Sequence, residues 1–218
     1  MFGFDIHQTP SHYRERRGTL TTPSGTIQTP AFIFCATKAA LKSVPGHLLR
    51  DLKVQIALAN TYHLYLQPGA DIVAQQGGLS KFMGWQGPTL TDSGGFQIFS
   101  LGNGSVADEI KGRRKTNGER SLLKITEEGA QFRSYLDRKI HWLSPESSIQ
   151  TQMKIGADLI VCFDECTPFH VPKAYTRLSM DRSHRWELRS RLMFDELNTE
   201  GRHALYGIVQ GGVYPELR

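Results

Sequence analysis

Four short apolar runs constrain this chain most: residues 31–36, 54–59, 158–163 and 204–209. Each is nearly unbroken, without the polar–apolar alternation that marks a strand with one wet face. They read as strands buried on both faces. Residues 88–91 add a strand-like stretch between the second and third. Helix signals fall between them, at 45–52, at 79–83, from Ser144-Pro145-Glu146 onward, and at 177–198. The Ser-Pro-Glu start is an N-cap, a proline at the first helical position and an acid in the first turn. Strands alternating with helices argue for a parallel sheet in an α/β fold. The first thirty residues differ. Phe2-Gly3-Phe4-Asp5-Ile6 alternates, Thr22-Pro23-Ser24-Gly25 is a turn, and residues 26–30 resume extended chain. The expected domains are therefore residues 1–30, a small antiparallel cap, and residues 31–218, the first part of a (β/α) barrel.

The chemistry sits just past the strands. Asn60-Thr61-Tyr62-His63-Leu64 ends the second run, and Thr91-Asp92-Ser93-Gly94-Gly95-Phe96-Gln97 ends the stretch at 88–91. Asp164-Glu165-Cys166 ends the third run, and Gln210-Gly211-Gly212 the fourth. In α/β folds ligands sit at the C-terminal ends of buried strands, and in a barrel those ends converge on one mouth. Asp92 has two readings. It is the N-cap of a strand-to-helix turn, or a desolvated acid able to exchange protons near neutral pH. Two acids and an amide at equivalent strand ends favour the second. His63 is either a structural histidine or part of such a site. Carboxylates at Asp92 and Asp164, the amide of Gln210, glycine backbone at Gly94, Gly95 and Gly211, and the ring of Phe96 suit a flat, hydrogen-bonding heterocycle. Paired carboxylates also suit glycosidic-bond chemistry. Residue chemistry alone leaves two enzyme classes open: a sugar-hydrolysing barrel, and an enzyme that exchanges a base on a ribose.

Composition narrows the setting. The 218 residues are 39% hydrophobic and 22% charged, as in soluble globular proteins. The net charge of +5 leans towards a polyanionic partner. Cys35, Cys162 and Cys166 form no disulfide framework, and their spacing does not suit a structural zinc site. No apolar run approaches the ~20 residues of a membrane span, and the first residues carry no signal-peptide core. A cytoplasmic protein is expected. Lys111, Arg113, Arg114 and Lys115, before the turn Asn117-Gly118, form either a phosphate-contacting hairpin or a solvated loop. Arg177, Arg182, Arg185, Arg189 and Arg191 read as a solvated face, paired with Asp181, Glu187 and Glu196 of the same helix.

These motifs, in this order, resemble the queuine tRNA-ribosyltransferases, also called tRNA-guanine transglycosylases. Leu143-Ser144-Pro145-Glu146 and Thr126-Glu127-Glu128-Gly129 are similar to the same family, so the resemblance spans nearly the whole chain. It implies a TIM-type barrel that exchanges the wobble guanine of tRNA for a 7-deazaguanine through a covalent ribosyl-enzyme. By motif, Asp92 resembles the proton acceptor, and Ser93, Gly94, Gly95 and Phe96 the base pocket. Asp164 and Gln210, with Gly211, resemble the groups that read the base edge. Cys166 after Asp-Glu is similar to the bacterial branch, whose substrate is 7-aminomethyl-7-deazaguanine, so the base implied is that one or queuine. The resemblance also implies a homodimer and a structural zinc held by three cysteines and one histidine. Neither the zinc ligands nor the nucleophilic aspartate has a match in residues 1–218, and only about half the strands of a barrel are present. The expectation is therefore the N-terminal part of a longer enzyme, inactive alone. A non-catalytic tRNA-binding subunit of the family is the alternative, and a barrel glycoside hydrolase the third choice.

Overall fold

The computed structural model describes residues 1–7, 15–103, 122–169 and 171–218. The basic cluster at Lys111–Lys115 and its Asn117-Gly118 turn lie outside them. The chain divides into two compact units. The first holds Met1–Asp92, Thr151–Ile160 and Asn198–Leu205; the second holds Ser93–Gln150, Val161–Leu197 and Tyr206–Arg218.

The first unit begins with an antiparallel sheet of β1 (Gly3–Ile6), β2 (Gly18–Thr22) and β3 (Gly25–Thr29). The β2–β3 turn forms as its sequence demands. Thr22 Oγ1 donates to the Gly25 carbonyl at 2.9 Å and accepts from the Ser24 amide at 3.2 Å. Ile27 of β3 packs with Ile56 and Leu159 in a small core that Phe2, Leu20, Ala31 and Leu90 surround. A second core joins Ala36, Leu49, Val54, Ala57 and Trp85.

The main sheet contains β4 (Phe34–Cys35), β5 (Ala57–Ala59), β6 (Thr89–Thr91), β10 (Leu159–Val161) and β11 (Ala204–Tyr206), in the order β11-β10-β6-β5-β4. The pairs β4–β5, β5–β6 and β6–β10 are parallel. The mixed α/β architecture with a parallel sheet is as expected, and strands join it in chain order. These five strands do not close on themselves. Burial follows that openness. Ala57, Ala59, Leu159 and Ile160, on inner strands, are sealed. The runs at 31–36 and 204–209 are not, contrary to expectation: Phe32 is 74% exposed and Val209 73%. β4 and β11 are the edges of the sheet, where an apolar strand has a neighbour on one side only.

The helices are α1 (Thr61–Leu66), α2 (Ala70–Gln75), α3 (Leu79–Met83), α4 (Gly95–Asn103), α5 (Pro145–Ile155) and α6 (Lys173–Leu197). α3 and α5 start where predicted, and Ser144 Oγ caps α5 by accepting from the Ser147 amide at 3.2 Å. The helix expected at 45–52 is only a 3-10 turn, Gly46–Leu48, followed by turns up to Lys53, whose φ is 55°. In the second unit β7 (Leu122–Ile125), β8 (Ala130–Arg133) and β9 (Ile140–Leu143) form an antiparallel meander. No helix among the described residues is long and apolar enough to cross a membrane.

Candidate active site

In the first unit, β6 delivers Asp92 at its C-terminal end. The strand is anchored through Thr91, whose Oγ1 donates to Gln152 Oε1 at 3.1 Å in the buried interior. Asp92 is half-buried. Its Oδ1 accepts the Thr61 amide at 2.8 Å and its Oδ2 accepts Asn60 Nδ2 at 2.5 Å. Its carbonyl accepts Thr61 Oγ1 at 2.6 Å. The carboxylate thus satisfies a first-turn amide of α1, the helix that follows the neighbouring strand. These donors are neutral and orient the carboxylate. His63 of α1 lies within electrostatic reach. Burial lowers its pKa first and Lys38 lowers it further; together they outweigh the opposing pull of Asp92, and the net shift favours the neutral imidazole.

The second unit opens with Ser93, which takes the capping role. Its Oγ accepts the Gly95 amide at 3.2 Å and donates to Asp164 Oδ1 at 3.4 Å. Its carbonyl accepts Ser148 Oγ at 2.7 Å. Gly94 has φ +84°, a conformation that L side chains rarely adopt. At Gly95 a Cβ would stand 2.7 Å from the Asp164 carbonyl oxygen, so the glycine permits one backbone to approach another. Phe96, in the first turn of α4, is 48% exposed and offers its ring to solvent. Gln210 Nε2 donates to Asp164 Oδ2 at 2.7 Å. Gly211 is buried beside it. The structure therefore brings Ser93, Gly95, Asp164 and Gln210 together in one unit. A carboxylate next to an amide offers acceptors and a donor to a planar edge.

The segment behind Asp164 was missed in the sequence. Glu165 is 1% exposed. Its carboxylate accepts Tyr175 OH at 2.5 Å and Arg182 Nη1 at 2.5 Å. Its amide donates to Ser183 Oγ at 3.0 Å. Burial, and then the bond to Glu165, push the Tyr175 phenol up to about 12, so it remains a donor. Two turns along, Ser190 Oγ accepts the Phe163 amide at 3.2 Å, and Phe163 stacks on Trp186 with centroids 4.9 Å apart. Ser179, Ser183, Trp186 and Ser190 recur at helical spacing and were the legible sign of a buried face on α6. The arginines of α6 also depart from expectation. Arg182, Arg185 and Arg189 pair with Glu165, Glu127 and Glu146, all outside the helix, and only Arg191–Asp195 is an i,i+4 pair.

Cys162 is buried, and burial, then Glu187 and Asp164, push its thiol up to about 12. Among the described residues no group of three His, Cys, Asp or Glu side chains is placed to hold a metal ion.

Comparison with known proteins adds to this geometry. The profile of the family described as Queuine tRNA-ribosyltransferase matches residues 11–218. A queuine tRNA-ribosyltransferase of Roseiflexus sp. (strain RS-1) is 49% identical over 225 residues, covering 99% of this chain and 56% of that protein. One from Protochlamydia amoebophila (strain UWE25) is 45% identical over 217 residues, covering 100% of this chain and 56% of the relative. One from Chlamydia pneumoniae is 47% identical over 214 residues, covering 98% and 55%. The chain spans about half the length of the curated relatives it matches.

Proposed function

The chain belongs to the queuine tRNA-ribosyltransferase family, and on that premise we propose that it supplies the base-recognition and proton-transfer residues of a tRNA-guanine transglycosylase. The observation that carries this reading is the pairing of Asp164 with Gln210 beside Ser93. An ionised carboxylate accepts from the ring N–H and exocyclic amine of a guanine edge, and the amide beside it accepts or donates as the base requires. Phe96, Gly94, Gly95 and Gly211 complete the pocket. Asp92 acts as proton acceptor. The incoming 7-deazaguanine gives up its N9 proton to an Asp92 oxygen, and the N9 electron pair forms the new bond to C1′. The bond from C1′ to the ribosylated carboxylate breaks at that moment. That carboxylate belongs to an aspartate outside the motifs of residues 1–218.

The same reading takes residues 31–218 as the first part of a (β/α) barrel, preceded by the antiparallel cap of residues 1–30. Addition of strands in chain order supports it, since a (β/α) barrel grows that way. Its substrates are tRNA with a wobble guanine and a 7-deazaguanine base, in a cytoplasmic homodimer. The family resemblance also implies a structural zinc. The described residues offer it no ligand set, and no step above runs through it.

Labelled guanine exchange into tRNA tests the proposal. Incorporation by the full-length enzyme that contains residues 1–218, with a covalent RNA adduct trapped on a denaturing gel, is the expected result, and residues 1–218 alone are expected to be inactive. Tight tRNA binding without adduct or exchange would identify a non-catalytic subunit instead. Cleavage of nitrophenyl glycosides without tRNA activity would favour a hydrolase.

A further inference from the structure

Asp164 and Glu165 are adjacent, yet their side chains meet different partners. Asp164 meets Gln210 and Ser93. Glu165 meets α6, and every polar group it has is bonded. Its two carboxylate oxygens accept from Tyr175 and Arg182, its amide donates to Ser183, and its carbonyl accepts Thr167 Oγ1 at 3.4 Å. Thr167 is itself tied to Ser179 of α6 at 2.5 Å. A charged pair this far from water is weak evidence for stability, because desolvation offsets much of its attraction. Its better-attested use is to fix one arrangement among several. What it fixes here is the peptide that carries Asp164. That peptide has no slack on its other side, where Gly95 approaches the Asp164 carbonyl too closely for a Cβ.

We propose that Glu165 is a positioning residue: locked by Arg182 and Tyr175, it sets the Asp164 carboxylate for the base edge, so discrimination between purines depends on it. The inference rests on the base-reading role proposed above for Asp164. Arg182 supplies the positive charge opposite the buried Glu165 carboxylate. Tyr175 supplies a neutral donor to the other oxygen, so the carboxylate is held at both ends and cannot swing.

Guanine and hypoxanthine, which lacks the exocyclic amine, are the probes. Their dissociation constants are measured with the protein and with Asp164→Asn, Glu165→Gln and Glu127→Gln. Glu127 also pairs with α6, through Arg185, and serves as the control for a lost ion pair. The wild-type protein is expected to prefer guanine. Asp164→Asn abolishes the preference. Glu165→Gln reduces it about tenfold, the size of a mis-set hydrogen bond to a charged group, and Glu127→Gln leaves it unchanged. Titration of the Tyr175 phenol, followed by ultraviolet difference, moves down in Glu165→Gln and reports the broken lock directly. If Asp164→Asn loses the preference and Glu165→Gln keeps it, the positioning role is overturned while base reading stands. If Asp164→Asn keeps it, or the protein prefers neither base, base reading fails and this inference with it. Should Glu165→Gln not fold, Arg182→Lys is read by the same ratio. It keeps the charge and loses the reach, so a reduced preference supports the lock and an unchanged one overturns it.

Discussion

Asp158 and Asp92 belong to the same unit and to neighbouring parallel strands, yet they sit at opposite ends. Asp158 precedes β10, and its carboxylate accepts Ser24 Oγ at 2.6 Å, the Thr89 amide at 2.8 Å and Thr89 Oγ1 at 3.1 Å. It is 5% exposed, sealed beneath the β2–β3 turn. Asp92 follows β6, takes two neutral donors, and remains half-buried. The first fastens the antiparallel sheet to the parallel one. The second is held in orientation by its neighbours and is only half-buried. The difference is positional: acids at the N-terminal ends of parallel strands are placed for stability, and those at the C-terminal ends lie where α/β folds put their ligands.

The largest effect should come from Asp158→Ala. It strands the Thr89 amide and hydroxyl in the interior and takes the exposed Ser24 hydroxyl's partner away, at about 3 kcal/mol in total, or a melting point lower by roughly 6–12 °C. Thermal unfolding followed by circular dichroism checks this, and a loss below about 1 kcal/mol would erase the contrast between the two ends. Asp92→Asn should leave melting nearly unchanged, because the Asn60 amide can turn to present its oxygen to the new NH2. Guanine exchange should instead fall by about 100-fold, the scale of acid–base catalysis. Full activity would make Asp92 a fastener like Asp158.

Gly95→Ala carries the comparison into the second unit. The added methyl must displace the Asp164 carbonyl, costing about 1–2 kcal/mol and weakening guanine binding, both measurable by calorimetry. Unaltered guanine affinity would show that the Asp164 backbone has freedom that the close contact denies it. The smallest effect concerns Glu146. Burial pushes its carboxyl up, but hydrogen bonds from Arg189, the backbone and Ser144 together outweigh it and leave the pKa below the usual 4.5. A depressed carboxylate pKa stabilises the fold above the unfolded value and loses that contribution as pH falls through the folded one. Melting below pH 4.5 should therefore decline less steeply in Glu146→Gln, by under about 1 kcal/mol for a pair this exposed.

The central strands were legible because unbroken apolar runs are what full burial demands, and Ile56, Leu159 and Ile160 meet that demand. The edges were misread for the same reason. An apolar run states what a strand tolerates and says nothing of what covers it, so Phe32 and Val209 looked identical to residues inside the sheet. Asp92, Asp164 and Gln210 were found because strand ends are marked by abrupt polarity. What holds them was not. Asn60 and Thr61 stand about thirty residues before Asp92, and the partners of Arg185 and Arg189 lie 58 and 43 residues away. Pairing at that range depends on tertiary structure, whereas helix-local pairing, which the sequence suggests, holds on α6 only for Arg191 and Asp195.

The thiol at the end of β10 makes this molecule its own recorder of opening. Cys35 is exposed and Cys166 half-buried, so an alkylating reagent reaches them in the native state. Cys162 is shielded and, with its thiol pushed up to about 12, holds almost no thiolate. Its modification has to wait until the strand parts from its neighbours. The rate at which a third label is incorporated, after the first two, therefore counts those excursions at the heart of the sheet.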